Sequence, residues 1–122
     1  MSSLLDTSVL ISDRPALGEG EGAISAMTLA ELHVGVLYVR DERERAARLR
    51  RLAWVERTFE RLPVDDEVAR RFGEVVAAAR GKGFRPGVAD ALIAATAITH
   101  DLELVSSDRD FFAFEGLRLR VI

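Results

Sequence analysis

The sequence predicts an α/β fold in which helices are layered on a mostly parallel sheet. Three observations carry the prediction. Short apolar segments of strand length, "SLL", "GAISAM", "LELVSS" and "LRLRVI", are distributed from one end of the chain to the other. Most are separated by longer stretches in which apolar residues recur at helical spacing. Finally, 122 residues, 48% hydrophobic and 30% charged, suit one domain over 1–122 with one substantial core.

In chain order, "SLL" is the first strand, closed by Asp6 and followed by a short helix over Ser8–Ser12. "GAISAM" is the second strand and leads into "TLAELHVGVLYV", where Leu29, Leu32, Val36 and Val39 share a helix face. Leu52, Val55, Phe59 and Leu62 mark one face of a long, charged helix. Val68, Phe72, Val75, Val76 and Ala79 do the same for the next, for which Asp65 is the N-cap. "RGKGFRPG" (80–87) is a loop, with Gly81 and Gly83 as stops and Pro86 as a restart. "VADALIAATAITH" is a small-residue helix suited to close packing, "LELVSS" a strand, "DRDFFAF" a helical turn and "LRLRVI" the last strand.

Composition excludes several classes of function. Without cysteine there are no disulfides, zinc–thiolate sites or thiol nucleophiles, and a reducing cytoplasm is the expected compartment. No basic region precedes the first apolar stretch, so no secretory signal is expected, and runs such as "ALIAATAI" are too short to span a bilayer. "GKGF" lacks the spacing of a phosphate-binding loop, and no dinucleotide fingerprint occurs. His33 lies two residues from Glu31, on another helix face, and His100 sits at a helix end; neither has partners for a nucleophilic triad. The net charge of −3 argues against simple electrostatic capture of nucleic acid, although "RDERERAARLRR" (40–51) gives either a basic face or an ordinary solvated one.

The acids carry the chemistry. Asp6 ends the first strand, Glu31 lies in the first turn of the helix after the second, Asp90 opens the small-residue helix and Asp108 follows "LELVSS". In a parallel α/β sheet these places share one rim, where ligands bind. Two carboxylates about 5 Å apart repel by about 3 kcal/mol at an effective dielectric near 20, so such a cluster raises its own pKa values or recruits a cation. All-oxygen donors suit a hard ion, Mg²⁺ or Mn²⁺. Each acid also has a purely structural reading: Asp6 as a helix cap, Thr28–Glu31 as a capping box, Asp90 as a complement to a helix dipole, Asp108 or Asp110 as a cap of "DRDFF".

"LLDTSVLI", "AMTLAELHVGV", "GVADALIAATAITHDLELVSSDRDF" and "LRLRVI" together resemble the PIN-domain ribonucleases, specifically the VapC-like toxins, over essentially the whole chain. The resemblance implies a three-layer α/β/α sandwich with a mostly parallel central sheet. It implies an endoribonuclease using Mg²⁺ or Mn²⁺, a homodimer, and neutralisation by a cognate VapB-type antitoxin. Carried over by position, the catalytic and metal-binding acids are Asp6, Glu31, Asp90 and Asp108, with Asp110 a rival for the fourth place. Thr7, Ser8 and Ser106 are the polar residues expected to support them. Asp101 stands where the family commonly has glycine, at a left-handed cap that Asp can occupy.

Arg14, Arg85 and Arg109, with the 40–51 segment, are candidates to hold RNA, single-stranded or looped rather than duplex. Leu37, Tyr38 and Trp54 are either core or the seat of an apolar partner segment. Two other functions compete with the nuclease. A noncatalytic interaction module would keep the fold without turnover, and would show no Mn²⁺ site that Asp6→Asn removes. A phosphoryl-accepting receiver wants paired acids after the first strand and a late lysine, but Asp6 stands alone and Lys82 is mid-chain.

Overall fold

Successive side chains of a strand point to opposite faces of its sheet, and in this chain both faces are apolar. The structure, a computed structural model, describes residues 2–12 and 22–122. Strands β1 (Ser3–Leu5), β2 (Gly22–Ser25), β3 (Glu60–Leu62), β4 (Glu103–Ser106) and β5 (Leu119–Val121) form one sheet in the order β3-β2-β1-β4-β5. Every neighbouring pair is parallel. Five α-helices accompany it: α1 (Thr7–Leu10), α2 (Ala26–Tyr38), α3 (Glu42–Thr58), α4 (Asp66–Gly81) and α5 (Val88–Thr99). A 3₁₀ turn, Arg109–Ala113, joins β4 to β5.

The alternation divides the interior. Leu4, Ala23 and Leu104 face a core completed by Val68 and Val75 of α4 and by Ile93 and Ala94 of α5. Their neighbours Leu5, Ile24 and Val105 face a second core built with α1, α2 and α3 through Val9, Leu32, Val36, Leu52 and Val55. This is the expected three-layer α/β/α sandwich. From central β1 the chain winds outward through β2 to β3, then returns on the other side with β4 and β5. The switch of direction therefore falls between β1 and β4, and a crevice beyond their carboxyl ends is where such sheets bind ligands.

Several element boundaries differ from the sequence expectation. Helix α2 begins at Ala26, not Thr28, because buried Ser25 ends β2 and its hydroxyl accepts from the Met27 amide at 3.0 Å. Helix α3 stops at Thr58, and Leu62, which continues its apolar spacing, belongs instead to the edge strand β3. The short first helix also starts one residue early, at Thr7. Asp65 caps α4 as expected, accepting from the Val68 amide at 3.0 Å.

Part of the 40–51 basic segment has a structural task. Arg45 donates to the carbonyls of Val36 (3.2 Å) and Val39, and Arg48 donates to that of Gly35 (2.9 Å). The carbonyls of Gly35 and Val36 belong to the last turn of α2, which lacks intrahelical partners, and cations there also complement the helix dipole. Leu37 and Tyr38 are exposed, at 76% and 84%, while Trp54 packs edge-on against Phe59 with ring centroids 5.4 Å apart. Among the described residues no helix is long and apolar enough to cross a membrane.

Helices α4 and α5 end alike. Past α4, Phe84 donates to the Ala79 carbonyl and Gly83, at φ 84°, to that of Arg80. Past α5, Leu102 donates to Ala97 and Asp101 to Ile98, with Asp101 at φ 54°. Both are Schellman closures, but only one has the glycine that tolerates a left-handed backbone without strain. Arg118 bonds the Asp101 carbonyl at 2.6 Å and its carboxylate at 3.1 Å, an exposed contact worth little. Asp101→Gly should therefore stabilise the chain by about 0.5–1 kcal/mol. Chemical unfolding reads this as a higher midpoint at unchanged slope; a lower midpoint would show that the Arg118 contact outweighs the strain.

Candidate active site

Asp6 leaves β1 at the switch point, its amide bonded to the Val105 carbonyl of β4 at 2.9 Å. It is 95% buried, being 5% exposed, yet its side chain does not cap α1. Oδ2 instead accepts the hydroxyls of Ser8 and Ser106, each at 2.8 Å. Those hydroxyls are themselves fixed from the other side: Ser106 Oγ accepts the Asp108 amide at 2.9 Å and Ser8 Oγ accepts the Ser107 amide at 3.1 Å. With their oxygens engaged as acceptors by backbone N–H groups, both protons point at Asp6. Among the described residues nothing donates to Oδ1.

Glu31 occupies the second turn of α2, one turn later than expected, because the helix starts earlier. Its Oε1 accepts the Thr7 hydroxyl at 2.7 Å, and that hydroxyl lies 3.2 Å from Thr28 Oγ1. Thr28 is fully buried inside the helix rather than at its cap, so the capping-box reading of Thr28–Glu31 does not hold. Thr28 was not among the sequence-predicted site residues; its resemblance to a capping box concealed it.

Asp90 lies half-buried in the first turn of α5, where Gly87 provides no side-chain cap. Its pKa is pushed up from 3.8 to about 6, first by burial, then by the charges of Asp6, Asp108, Glu31 and Asp110 in that order. Four carboxylates from three other segments thus converge on Asp90. Asp108 caps the 3₁₀ turn, its Oδ1 accepting the Asp110 amide at 2.9 Å, and it acts on Asp90 more strongly than exposed Asp110 does. As the side chains lie, no three acidic or histidine groups among the described residues are close enough to enclose one ion. The donor set is nevertheless entirely carboxylate and hydroxyl oxygen, the type that hard divalent cations take.

Around the acids, Arg85 and Arg109 are exposed and make no ion pair among the described residues; Arg14 lies outside them. A cavity of about 770 Å³ opens beside Thr7 and Glu31, walled by Leu32 and Gly35 of α2 and by Arg43 and Arg51 of α3.

The comparisons with known proteins agree with this architecture. The family model described as PIN domain matches residues 3–117. Ribonuclease VapC5 of Mycobacterium tuberculosis is 37% identical over 121 residues, covering 94% of this chain and 89% of the relative. Ribonuclease VapC4 of the same organism is 31% identical over 126 residues, with coverage of 98% and 96%. The crystal structure of VapBC-5 from M. tuberculosis, described as a member of the VapBC family of toxin–antitoxin systems, is similar with a TM-score of 0.86 and 37% identity. That similarity covers 99% of this chain and 97% of the other.

Crowded charge at Asp90 has a consequence for stability. Folded chains keep the Asp90 proton up to about pH 6, whereas unfolded chains release it around 3.8. Between those values the folded state binds more protons, so stability falls as pH rises through the window and levels off above it. Asn cannot ionise and escapes that loss. Asp90→Asn should therefore be more stable than the unmodified chain above pH 6, by about 1 kcal/mol once solvent screening of a half-exposed group is allowed for. The gain should disappear below pH 3.8. Urea unfolding across pH would contradict this if the two proteins kept a constant difference.

Proposed function

The chain belongs to the PIN-domain family and, within it, to the VapC ribonucleases, and we propose that it is an endoribonuclease toxin hydrolysing RNA phosphodiester bonds. The observation that carries the reading is the convergence of Asp6, Glu31, Asp108 and Asp110 on Asp90 at the sheet's switch point. Asp6, Glu31, Asp90 and Asp108 would hold Mg²⁺ or Mn²⁺, with Asp110 the rival to Asp108. When bound, such an ion supplies a Lewis acid for the phosphate and makes water a nucleophile near neutral pH.

The chain's own residues set the geometry. Ser8 and Ser106 lock the Asp6 carboxylate by binding Oδ2, leaving Oδ1 directed away from both hydroxyls. Thr7 binds one oxygen of Glu31, and the other would ligate or take a proton from the attacking water. Arg85 and Arg109, both exposed, would contact phosphates, which positions the strand without specifying its sequence. Single-stranded or looped RNA fits best, since duplex hides its base edges.

The remaining features belong to the same proposal. The chain would act as one domain over 1–122, as a homodimer, in the cytoplasm. A VapB-type antitoxin would lay an apolar segment on the surface of the two middle helices, where Leu37 and Tyr38 are exposed, and a basic antitoxin residue would neutralise the acids.

Two outcomes test this. Antitoxin-free protein should cleave RNA with Mg²⁺ or Mn²⁺ and not with EDTA, and Asp90→Asn should lose about 100- to 1,000-fold in rate with an unchanged circular dichroism spectrum. Equal cleavage by both proteins would point to a contaminant. Ser106→Ala, which frees the Asp6 carboxylate, should lower cleavage or Mn²⁺ affinity by about 10- to 100-fold; full activity would show that the hydroxyl only braces the turn.

A further inference from the structure

The 3₁₀ turn Arg109–Ala113 presents a pairing that the acid site does not use. Three residues make one turn of such a helix, so Arg109 and Phe112 lie eclipsed on one face. Both are exposed, Phe112 at 62%, and Arg109 follows Asp108 directly in the chain. Isolated exposed apolar residues are ordinary, but this one rides on a rigid support. Phe111, 1% exposed, anchors the turn in the core and packs against Phe114, their ring centroids 5.9 Å apart and their planes tilted by 39°. The Asp108 carboxylate holds one end through the Asp110 amide, and the Phe114 amide closes the other on the Phe111 carbonyl at 3.2 Å.

An aromatic face and a guanidinium with no ion pair among the described residues, displayed together on a turn beside a carboxylate cluster, match one ligand chemistry: an unstacked base with its adjoining phosphate. We infer that Arg109 and Phe112 form a docking step for single-stranded RNA, Phe112 stacking on a base and Arg109 holding a neighbouring phosphate. The inference rests on the ribonuclease reading and deepens it. A turn whose backbone is already tied down suits the task, because less of the chain has to be ordered on binding. Stacking tolerates any base, so this step would position the strand without selecting its sequence.

The test uses Asp90→Asn protein, which should bind without cutting and keeps the Asp6 bonds that hold the turn, and a fluorescein-labelled single-stranded oligoribonucleotide of mixed sequence, followed by anisotropy over a salt series. Adding Phe112→Ala should weaken binding about 5- to 100-fold and leave the salt dependence unchanged, and Phe112→Trp should retain it. Arg109→Ala should weaken binding and reduce the slope of log affinity on log salt by about 0.7. Undiminished binding by Phe112→Ala and Arg109→Ala overturns the inference, as does a Phe112→Ala loss accompanied by a changed oligomeric state in sedimentation, which would make Phe112 a contact between copies. Cleavage by the unmodified chain, assayed in parallel, separates the two levels: cleavage with indifferent variants removes only this docking step, whereas neither cleavage nor binding removes the ribonuclease reading with it.

Discussion

A single buried carboxylate ties together the two strands on which the site depends. Asp6 ends β1, and Ser106 ends β4, a hundred residues away in sequence. Burying a charge costs several kcal/mol unless it is compensated, and two hydroxyl donors provide the compensation here. Because each hydroxyl also receives a backbone N–H from the 107–108 segment, the same bonds fix the path of the chain after β4. Asp108 and the 3₁₀ turn are thereby placed. The position of the acids follows from a knot of small polar groups, and the apolar layers above and below hold that knot at the edge of the sheet.

The rest of the site works against stability. Burial and four neighbouring carboxylates oppose ionisation of Asp90, and no hydrogen bond among the described residues relieves it. Like charges held near one another are destabilising unless a counter-charge joins them, which is the role proposed for a divalent cation here. The two apolar cores, one to each face of the sheet, carry that load.

Much of this was legible in the sequence, for a topological reason. Once strands alternate with helices, the ends of strands and starts of helices share a rim, so Asp6, Asp90 and Asp108 could be brought together without coordinates. Boundaries were harder. Phe59 and Leu62 keep the three-residue spacing of the preceding helix, which hid a three-residue edge strand. "TLAE" has the form of a capping box, and only the buried Ser25 cap shows that the helix had already begun. Nothing local in "RDERERAARLRR" tells which arginines bind the carbonyls of α2 and which face solvent. The Ser106 bond to Asp6 joins residues a hundred apart, and like the local bond from Ser8 it depends on hydroxyl orientation, which spacing does not encode.

Asp90 is proposed as the focus of a carboxylate cluster whose repulsion a divalent cation would relieve. Carboxyl ¹³C resonances of Asp90, followed through a pH titration with and without Mg²⁺, measure it directly. The midpoint should lie near 6 in the metal-free chain and move down when Mg²⁺ is added. An ordinary carboxylate midpoint that ignores Mg²⁺ would contradict it.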